Sequence, residues 1–317
     1  MRVLVFGVTG FAGRYLAREL RELGHEVWGA ARRPSSDAAA RHPIALDGVR
    51  LLRCDVGEAE EVRDVLAAAQ PDAIVLLSGV SSPPEANRRP QDAYRVHVGG
   101  TLNVLSAVAS TQPSRRVLLV TSSEVYGASG RDASPLTEDV PLQPTTVYAA
   151  SKAAADLAAK AFAASHGCDV VCVRPFNHTG PGQREDFVCP DFAAQVAGIA
   201  LGRRAPVIEV GNLDVRRDFT DVRDVVRGYV AALLRGRRGE TYNLCSGHGT
   251  SIREILTTLC ELAGVEPEVR PAAARQRPAE VPAYWGSARK AEVELGWRPE
   301  IPLRTTLADL LEFSRNA

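Results

Sequence analysis

The chain has 317 residues, of which 45% are hydrophobic and 24% are charged, so it is long enough for two domains or for one large α/β unit. Its 38 basic side chains balance its 38 acidic ones, which does not favour nucleic acid or an anionic membrane as a partner. Any bound anion must therefore be held by a local cluster of residues.

The beginning of the chain, its cysteines and its histidines argue against several further classes. Residues 1–6 run straight into a glycine loop and show neither the apolar core of a signal peptide nor a span of about twenty apolar residues, so we expect a cytoplasmic protein. The six cysteines include no C-x-x-C pair, and the six histidines form no H-E-x-x-H array. We expect neither a disulfide framework nor a metal site.

A glycine-rich loop follows the first predicted strand. Gly7, Gly10 and Gly13 have the spacing G-x-x-G-x-x-G, and a helical pattern comes after them. A strand, a tight turn and a helix N-terminus in this order bring backbone N–H groups together and form a cradle for an anion. We therefore predict that this loop, with Phe11 and Ala12, binds the pyrophosphate of a dinucleotide.

The end of the second predicted strand indicates which dinucleotide binds. This strand covers residues 26–30 and is followed by Arg32 and Arg33, at the point where an NAD-binding chain usually has an acidic residue. Guanidinium groups suit a 2′-phosphate, so we predict NADP(H) rather than NAD(H). The alternative for each arginine is a solvated position on a loop.

The third predicted strand, residues 49–53, leads to Asp55 and Val56. We expect these two residues to flank the adenine of the dinucleotide. Asp55 has a second interpretation, because an aspartate in this position can be the N-cap of the helix that begins near Glu58.

The next segments indicate the fold class. A continuous apolar run at residues 73–78 is typical of a central parallel strand that is covered on both faces. A long helical pattern through His97 and Thr101 follows, and a fifth strand covers residues 116–121. Strands that alternate with helices predict a doubly wound parallel sheet of the Rossmann type, with ligands at the carboxyl ends of the strands.

The pattern becomes looser after a sixth predicted strand at residues 169–173, and a helix is expected from about residue 191 to residue 201. No linker or repeat divides the chain. We predict an NADP-binding Rossmann domain over residues 1–176, completed by segments near 215–248. Residues 177–317 are expected to form mainly a smaller α/β lid that binds the substrate.

Tyr148 and Lys152 lie four residues apart in a helical pattern, and Ser122 follows the fifth strand. This spacing places both side chains on one helix face, with the ammonium beside the phenol. We expect the cation to lower the pKa of Tyr148 from about 10 and to make it a proton donor or acceptor near neutral pH. Alone, such a pair is more often an ordinary helix surface, but with the glycine loop and Ser122 it predicts a working site.

These three residues resemble the Ser/Thr and Tyr-x-x-x-Lys set of the extended short-chain dehydrogenase/reductase family, and the resemblance covers essentially the whole chain. It implies that a nicotinamide exchanges hydride with the substrate while Tyr148 exchanges a proton with the substrate oxygen. Ser122 would hydrogen-bond that oxygen, and Lys152 would bind the nicotinamide ribose. One position departs from the family, which usually has asparagine where this chain has His97.

The carboxyl-terminal half resembles the nucleotide-sugar branch of that family. Four segments carry the similarity, at residues 174–183, 186–188, 210–213 and 217–224. Within the branch, the similarity is closest to enzymes that reduce a GDP-sugar ketone. It implies a pyrophosphate site, a nucleotide pocket and a ribose contact, formed respectively by Asn177, Arg217 and Arg277, by Phe187 and Val188, and by Glu280.

Ser123 and Glu124, which follow Ser122, are expected beside the sugar and bear on the reaction. A GDP-mannose 4,6-dehydratase needs an extra acid or base, which Glu124 could supply. Related dehydratases have threonine where this chain has Ser122, and some have aspartate where it has Ser123. Together with the segment Ser122-Ser123-Glu124, the resemblance therefore implies NADPH-dependent reduction of the C4 ketone of GDP-4-keto-6-deoxy-D-mannose to GDP-D-rhamnose or its C4 epimer. The alternatives are the dehydratase, a nucleotide-sugar 4-epimerase and a catalytically silent NADP-binding sensor.

Two alanine-rich helical segments, residues 99–110 and 149–165, bear on the oligomeric state. Alanine allows close approach of helices, and relatives of this family pair such helices across a two-fold axis. We expect a homodimer that forms through a four-helix bundle. The alternative is that the alanines pack these helices on the sheet.

Overall fold

The computed structural model describes residues 1–34, 42–131, 135–272 and 281–316. Its strands are β1 (Arg2–Phe6), β2 (Glu26–Ala31), β3 (Arg50–Arg53), β4 (Ala73–Leu76), β5 (Arg116–Val120), β6 (Val170–Pro175), β7 (Asn177–Thr179), β8 (Val207–Val210), β9 (Arg216–Arg217), β10 (Phe219–Asp221), β11 (Thr241–Leu244), β12 (Thr250–Ser251), β13 (Glu268–Pro271) and β14 (Ala283–Tyr284).

Its helices are α1 (Phe11–Glu22), α2 (Ala59–Ala69), α3 (Pro83–Arg88), α4 (Pro90–Tyr94), α5 (Gly100–Thr111), α6 (Val147–Ser165), α7 (Val188–Ala200), α8 (Val222–Arg235), α9 (Ile252–Ala263), α10 (Arg289–Leu295) and α11 (Leu303–Arg315). Among the residues that the structure describes, no helix is both long and apolar enough to cross a membrane.

The central sheet has seven strands in the order β11-β6-β5-β4-β1-β2-β3. All of its strand pairs are parallel. The chain winds outward in one direction from β1 to β3 and in the other from β4 to β11, so the order reverses between β1 and β4. A crevice forms at such a switch point, at the carboxyl ends of the strands. This topology confirms the predicted doubly wound parallel sheet.

The first strand separates two cores, one on each face of the sheet. Val3 and Val5 pack with α1 and α8, whereas Leu4 and Phe6 pack with α2 and α5. The alternation arises because successive residues of a strand point to opposite faces. Since both faces are covered by helices, the strand is apolar along its whole length.

The carboxyl-terminal helices form a third core beside the sheet. Helices α7, α9 and α11 pack together through side chains such as Phe192, Ile255 and Leu310. Short strands complete this part: β8 pairs with β13, β9 with β12 and β14, and β7 with β10. Helix α7 begins at Val188, not near residue 191 as predicted, and its N-cap Phe187 has an extended backbone. The division of the chain at residue 176 stays a prediction.

The long helix predicted through His97 and Thr101 is interrupted. A π-helical turn, Arg95–Gly99, separates α4 from α5. A π-helical turn adds one residue to the helical repeat and changes the direction in which the following side chains point. It therefore sets the orientation of His97, which lies near the middle of the turn.

A buried ion pair connects β6 to α6. Arg174 Nε and Nη2 donate to the carboxylate of Asp156 at 2.9 and 3.0 Å, and Arg174 Nη1 donates to the Tyr126 hydroxyl at 3.0 Å. The Arg174 side chain is 1% exposed and the Asp156 side chain is fully buried. The pair fixes α6, the helix that carries Tyr148, against the end of a central strand.

We expect Asp156→Ala to destabilise the protein by about 3–5 kcal/mol, because it leaves the Arg174 charge buried without its counter-ion. Urea unfolding followed by circular dichroism measures this change. Asp214→Ala is the matched control, since it removes an ion pair with Arg253 whose side chains are 79% and 59% exposed. The control should cost under about 1 kcal/mol, and equal effects of the two substitutions would contradict the expectation.

Candidate active site

The glycine loop after β1 is shaped for close approach of a ligand. Gly7 has a φ of +86°, and a Cβ atom there would lie 2.8 Å from the Ser78 backbone nitrogen. A Cβ atom on Gly13 would clash with the carbonyl oxygen of Gly7. Gly10 is the N-cap of α1, so the free N–H groups of that helix open onto the loop. This bare backbone at a helix N-terminus fits the pyrophosphate of a dinucleotide.

Phe11 and Tyr15 connect the glycine loop to β7 and to the chain directly after it. Its ring stacks on His178 with 6.1 Å between centroids and 6° between planes, and it meets the Tyr15 ring edge-on at 5.6 Å. The Tyr15 hydroxyl donates a hydrogen bond of 2.7 Å to the Pro181 carbonyl. Ala12, the next residue of α1, is partly buried and packs against the core. The first turn of α1 is therefore held against the segment predicted to bind substrate.

The residues predicted to select NADP lie at the end of β2, and those predicted to flank the adenine lie after β3. Arg32 and Arg33 are exposed directly after β2. Asp55 accepts hydrogen bonds from Arg95 Nη2 at 2.8 Å and from the Gly57 nitrogen at 2.9 Å. Although burial alone raises it, the pKa of Asp55 is lowered overall by the Arg95 and Gly57 hydrogen bonds and by the charges of Arg95 and Arg32. Two arginine side chains thus lie close to this carboxylate.

Asp55 and Val56, which follow β3, make contacts within the protein. The N-cap interpretation of Asp55 is wrong, because Glu58 precedes the first residue of α2 and the Asp55 carboxylate bonds instead to Gly57. Val56 is 4% exposed, packs against Gly100 and forms part of the core. A contact of Asp55 or Val56 with adenine stays a prediction.

Ser122, Tyr148 and Lys152 meet at the carboxyl end of β5. Thr146 caps α6 through its side-chain oxygen, so Tyr148 and Lys152 lie in the first two turns of the helix. The Tyr148 hydroxyl is hydrogen-bonded to the Ser122 side chain. Lys152 Nζ donates to the carbonyl oxygen of Val120, the last residue of β5, at 3.1 Å. The structure therefore brings the three residues together as predicted.

The electrostatics of the phenol differ from the expectation. Burial raises the pKa of Tyr148 to about 12, the hydrogen bond from Ser122 acts in the opposite direction, and the charge of Glu124 raises it further. The predicted lowering of the Tyr148 pKa by Lys152 is wrong for this structure, in which the ammonium bonds to the Val120 carbonyl. Burial also lowers the pKa of Lys152 to about 8. The loss of hydration outweighs the attraction on which the sequence argument relied.

Ser123 and Glu124 form the turn that follows Ser122. The Glu124 backbone nitrogen donates to Ser122 Oγ at 3.2 Å, which fixes the serine side chain. The Ser123 carbonyl accepts a hydrogen bond from the hydroxyl of Tyr284 in β14. Glu124 is half-buried and lies close enough to Tyr148 to raise its pKa. The structure thus places a carboxylate beside the phenol.

The predicted nucleotide-binding residues lie on β7 and at the start of α7. Asn177 begins β7 and is half-buried. Phe187 is the N-cap of α7 and Val188 its first residue. The Arg184 guanidinium lies 5.9 Å from the centre of the Phe187 ring, and Val188 packs partly on the third core. The predicted contacts of Asn177, Phe187 and Val188 with the nucleotide sugar stay predictions.

Arg217, the remaining described residue of the predicted pyrophosphate site, lies in β9. Its Nη1 donates to the carbonyls of Arg216 at 2.8 Å and Val281 at 2.9 Å. Arg277 and Glu280 lie outside the described residues. Arg217 thus contacts the chain directly after Glu280, and the three assignments stay predictions.

Two contacts of the site, made by Tyr284 and by His97, lie outside the predictions from the sequence. Tyr284 lies 161 positions from Ser123, and no local pattern identifies a partner at that separation. In the sequence, His97 is visible only as a departure from the family. Its ring meets the Tyr148 ring edge-on, with 5.7 Å between centroids and 86° between planes. The histidine at position 97, where the family usually has asparagine, is therefore the sequence feature that could have indicated a contact with the site.

Comparisons with known proteins identify the family. The sequence model of the GDP-mannose 4,6 dehydratase family matches residues 4–310. The GDP-6-deoxy-D-mannose reductase of Pseudomonas aeruginosa is 36% identical, over 98% of this chain and 96% of that protein. The UDP-glucose 4-epimerase of Azospirillum brasilense is 31% identical, over 94% and 87%. The solved structure of RMD from Pseudomonas aeruginosa complexed with NADPH has a TM-score of 0.85 and 34% identity, and 99% of each chain is covered.

A glycine cradle and a Ser–Tyr–Lys set at one edge of a doubly wound sheet define a Rossmann-fold oxidoreductase. The sequence relationships are more specific. The chain belongs to the GDP-mannose 4,6-dehydratase family, within the extended short-chain dehydrogenases/reductases, which confirms the resemblance drawn from the motifs.

The lowered pKa of Lys152 predicts a pH-dependent stability. An unfolded lysine keeps its proton up to about pH 10.5, whereas folded Lys152 keeps it only up to a pKa of about 8. The buried charge therefore costs stability below pH 8, and this cost is relieved as the pH rises through that window. We expect Lys152→Met to be more stable than the wild type at pH 7, by a margin that shrinks by about 2 kcal/mol at about pH 9.5.

Urea unfolding at both pH values measures that margin. Lys160→Met is the matched control on the same helix, because the Lys160 side chain is 39% exposed. A pH-independent margin for Lys152→Met would show that Lys152 is not the titrating group.

Proposed function

We propose that the protein reduces the C4 ketone of GDP-4-keto-6-deoxy-D-mannose with NADPH, giving GDP-D-rhamnose or its C4 epimer. The observation that carries the proposal is the half-buried Tyr148, whose hydroxyl is bonded to Ser122 close to Lys152 at the carboxyl edge of the sheet. The 36% identity to a GDP-6-deoxy-D-mannose reductase over almost the whole chain supports the substrate class.

The cofactor assignment rests on the glycine loop and on Arg32 and Arg33. The bare backbone at Gly7 and Gly13 can hold a pyrophosphate, and the two exposed guanidinium groups suit a 2′-phosphate. A structural relative that is 34% identical is complexed with NADPH, which supports the same choice here. When bound, the nicotinamide supplies the hydride for the ketone carbon.

The chain's own residues handle the substrate oxygen and its proton. Ser122, held by the Glu124 amide, hydrogen-bonds the ketone oxygen and orients it. Because its pKa is raised to about 12, Tyr148 is a protonated phenol at neutral pH and gives this proton to the oxygen as the alcohol forms. Lys152 donates to the nicotinamide ribose with N–H groups that its bond to Val120 leaves available.

The substrate diphosphate needs positive charge on the opposite side of the cleft. We assign this role to Arg217 with Asn177, and to Arg277 from the sequence, because a guanidinium fork matches phosphate oxygens. Phe187 and Val188 would line the nucleotide pocket, and Glu280 would accept a ribose hydroxyl. Burial raises the pKa of Tyr284, whose hydroxyl bonds to Ser123, and the charge of Arg217 acts against this rise, which supports a position of Arg217 near the site.

A 4,6-dehydratase is the second candidate, and one observation favours it. The carboxylate of Glu124 lies close enough to Tyr148 to affect its pKa, so an additional acid or base is available beside the sugar. In this reaction Glu124 would take the proton next to the transient ketone, and the cofactor would be regenerated in each turnover.

We expect Tyr148→Phe to lower kcat by about 10²–10⁴-fold and to leave the Kd for NADPH within about twofold, because the proton donor is lost while the ring remains. Loss of NADPH absorbance with GDP-4-keto-6-deoxy-D-mannose measures kcat, and quenching of protein fluorescence measures binding. Tyr94→Phe, at an exposed ring, is the matched control and should keep full activity.

Near wild-type turnover by Tyr148→Phe would contradict the proposed mechanism. Conversion of GDP-mannose to a 4-keto product without net consumption of NADPH would identify the dehydratase instead. In that case Glu124→Gln should abolish the conversion, whereas a reductase should keep much of its activity with this substitution.

We also propose that the protein is cytoplasmic and forms a homodimer in which α5 and α6 pair with the same helices of a second copy. Leu102 on α5 and Leu157 on α6 are 37% and 57% exposed, although large apolar side chains are usually covered. The two helices pack side by side on the same face of the sheet, which supports a four-helix bundle across a two-fold axis.

We expect Leu157→Glu to convert the dimer into a monomer, because the charge would be buried at the proposed interface. Sedimentation velocity measures the change. Leu201→Glu is the matched control, since Leu201 is 44% exposed but lies after α7. A wild-type protein that sediments as a monomer at micromolar concentration would contradict the dimer.

A further inference from the structure

His97 lies in the π-helical turn before α5 and is 2% exposed. Both of its ring nitrogens have polar neighbours. Nδ1 lies 2.8 Å from Ser151 Oγ, and Nε2 lies 3.2 Å from the carbonyl oxygen of Val80 in the loop after β4. Ser151 is on α6, between Tyr148 and Lys152 in the sequence. The imidazole therefore bridges the catalytic helix and the loop after β4.

The contacts determine which nitrogen carries the proton. A carbonyl oxygen only accepts hydrogen bonds, so Nε2 must be the donor to Val80. If the ring is neutral, Nδ1 is then the acceptor, and the single hydroxyl hydrogen of Ser151 goes to it and not to the Tyr148 carbonyl, which lies 2.9 Å from the same Oγ. Burial, and next the charge of Lys152, lower the pKa of His97 to about 2, which agrees with a neutral ring. Among the described residues, the titratable groups that face the ring are Tyr148 and Lys152.

Gly79 brings the imidazole close to the lysine. A Cβ atom on Gly79 would lie 2.6 Å from His97 Nε2, so a larger residue would push the imidazole away, whereas it would only contact Lys152 Nζ, at 3.5 Å. The neutral ring covers one side of the ammonium without pairing with it, because its only N–H is directed at Val80. The N–H groups of Lys152 that do not bond to Val120 are thus not taken by His97.

We propose that His97, as a neutral Nε2–H imidazole, is a positioning residue for this reductase site. By holding Ser151 with one nitrogen and the Val80 carbonyl with the other, it fixes the first two turns of α6 against the β4 loop. It also packs against the edge of the Tyr148 ring. The phenol and the ammonium are thereby held in the orientation that proton transfer and ribose binding require. This role rests on the proposed reductase function and extends it.

The two links can be tested separately. Asparagine can accept from Ser151 but is too short to reach Val80, whereas glutamine can reach towards Val80 but does not reproduce the acceptor at Nδ1. We expect His97→Asn, His97→Gln and Ser151→Ala each to lower kcat by about 10- to 100-fold, with the Kd for NADPH changed by under about threefold. The double variant His97→Gln with Ser151→Ala should be no slower than His97→Gln alone, because glutamine has already lost the contact with Ser151.

The protonation state has a readout that does not depend on activity. Long-range ¹H–¹⁵N spectra of the histidine-labelled protein without cofactor should show one ring, absent from His97→Asn, in the neutral Nε2–H form from about pH 5 to about pH 9. His166→Asn removes an exposed histidine at the end of α6 and is the matched control for both the spectra and the kinetics.

Two results would overturn the role of His97. The first is an imidazolium or an Nδ1–H ring for His97 in that pH range. The second is wild-type kcat in His97→Asn and His97→Gln. If the wild type binds NADPH but reduces no GDP-keto-sugar, the proposed function fails, and the ring spectra of the wild type and of Ser151→Ala still decide the hydrogen-bond arrangement at His97.

Discussion

The chemistry of this protein depends on the contact between the first two turns of α6 and the carboxyl end of β5. That contact brings Tyr148 to Ser122 and directs Lys152 to the Val120 carbonyl. It is supported further along the helix by the buried pair of Asp156 with the strand β6. Since a shift of about 1 Å can reduce an enzymatic rate 100-fold, a rigid support under α6 is a requirement of the mechanism.

The same logic applies to the two sides of the cleft. The glycine loop that fits the dinucleotide is joined to β7 through the stacked rings of Phe11 and His178, and to the chain after β7 through the hydrogen bond from Tyr15 to Pro181. The predicted cofactor and substrate regions therefore share packed side chains. A substitution that displaces side chains in one region should also displace side chains in the other, because packed interiors transmit displacement.

The sequence predicts those features that short segments determine. The strand, glycine loop and helix around Gly7 lie within a few residues of one another, and the fold class and the family are both confirmed. The short strands at residues 216–221 and the contact of Tyr284 are not predictable in this way, because they depend on distant pairing. The pKa of Tyr148 is raised and not lowered as predicted, because spacing on a helix reveals a charged neighbour but not the depth of burial.

The raised pKa of Tyr148 also determines which protonation state the resting site presents. A phenol with a pKa of about 12 keeps its proton at neutral pH, so the free protein already has the form that donates a proton to the substrate oxygen. Oxidation of the alcohol product would need the phenolate form, which is scarce under these conditions. The resting hydroxyl is therefore protonated, as reduction of the keto-sugar requires, before either ligand binds.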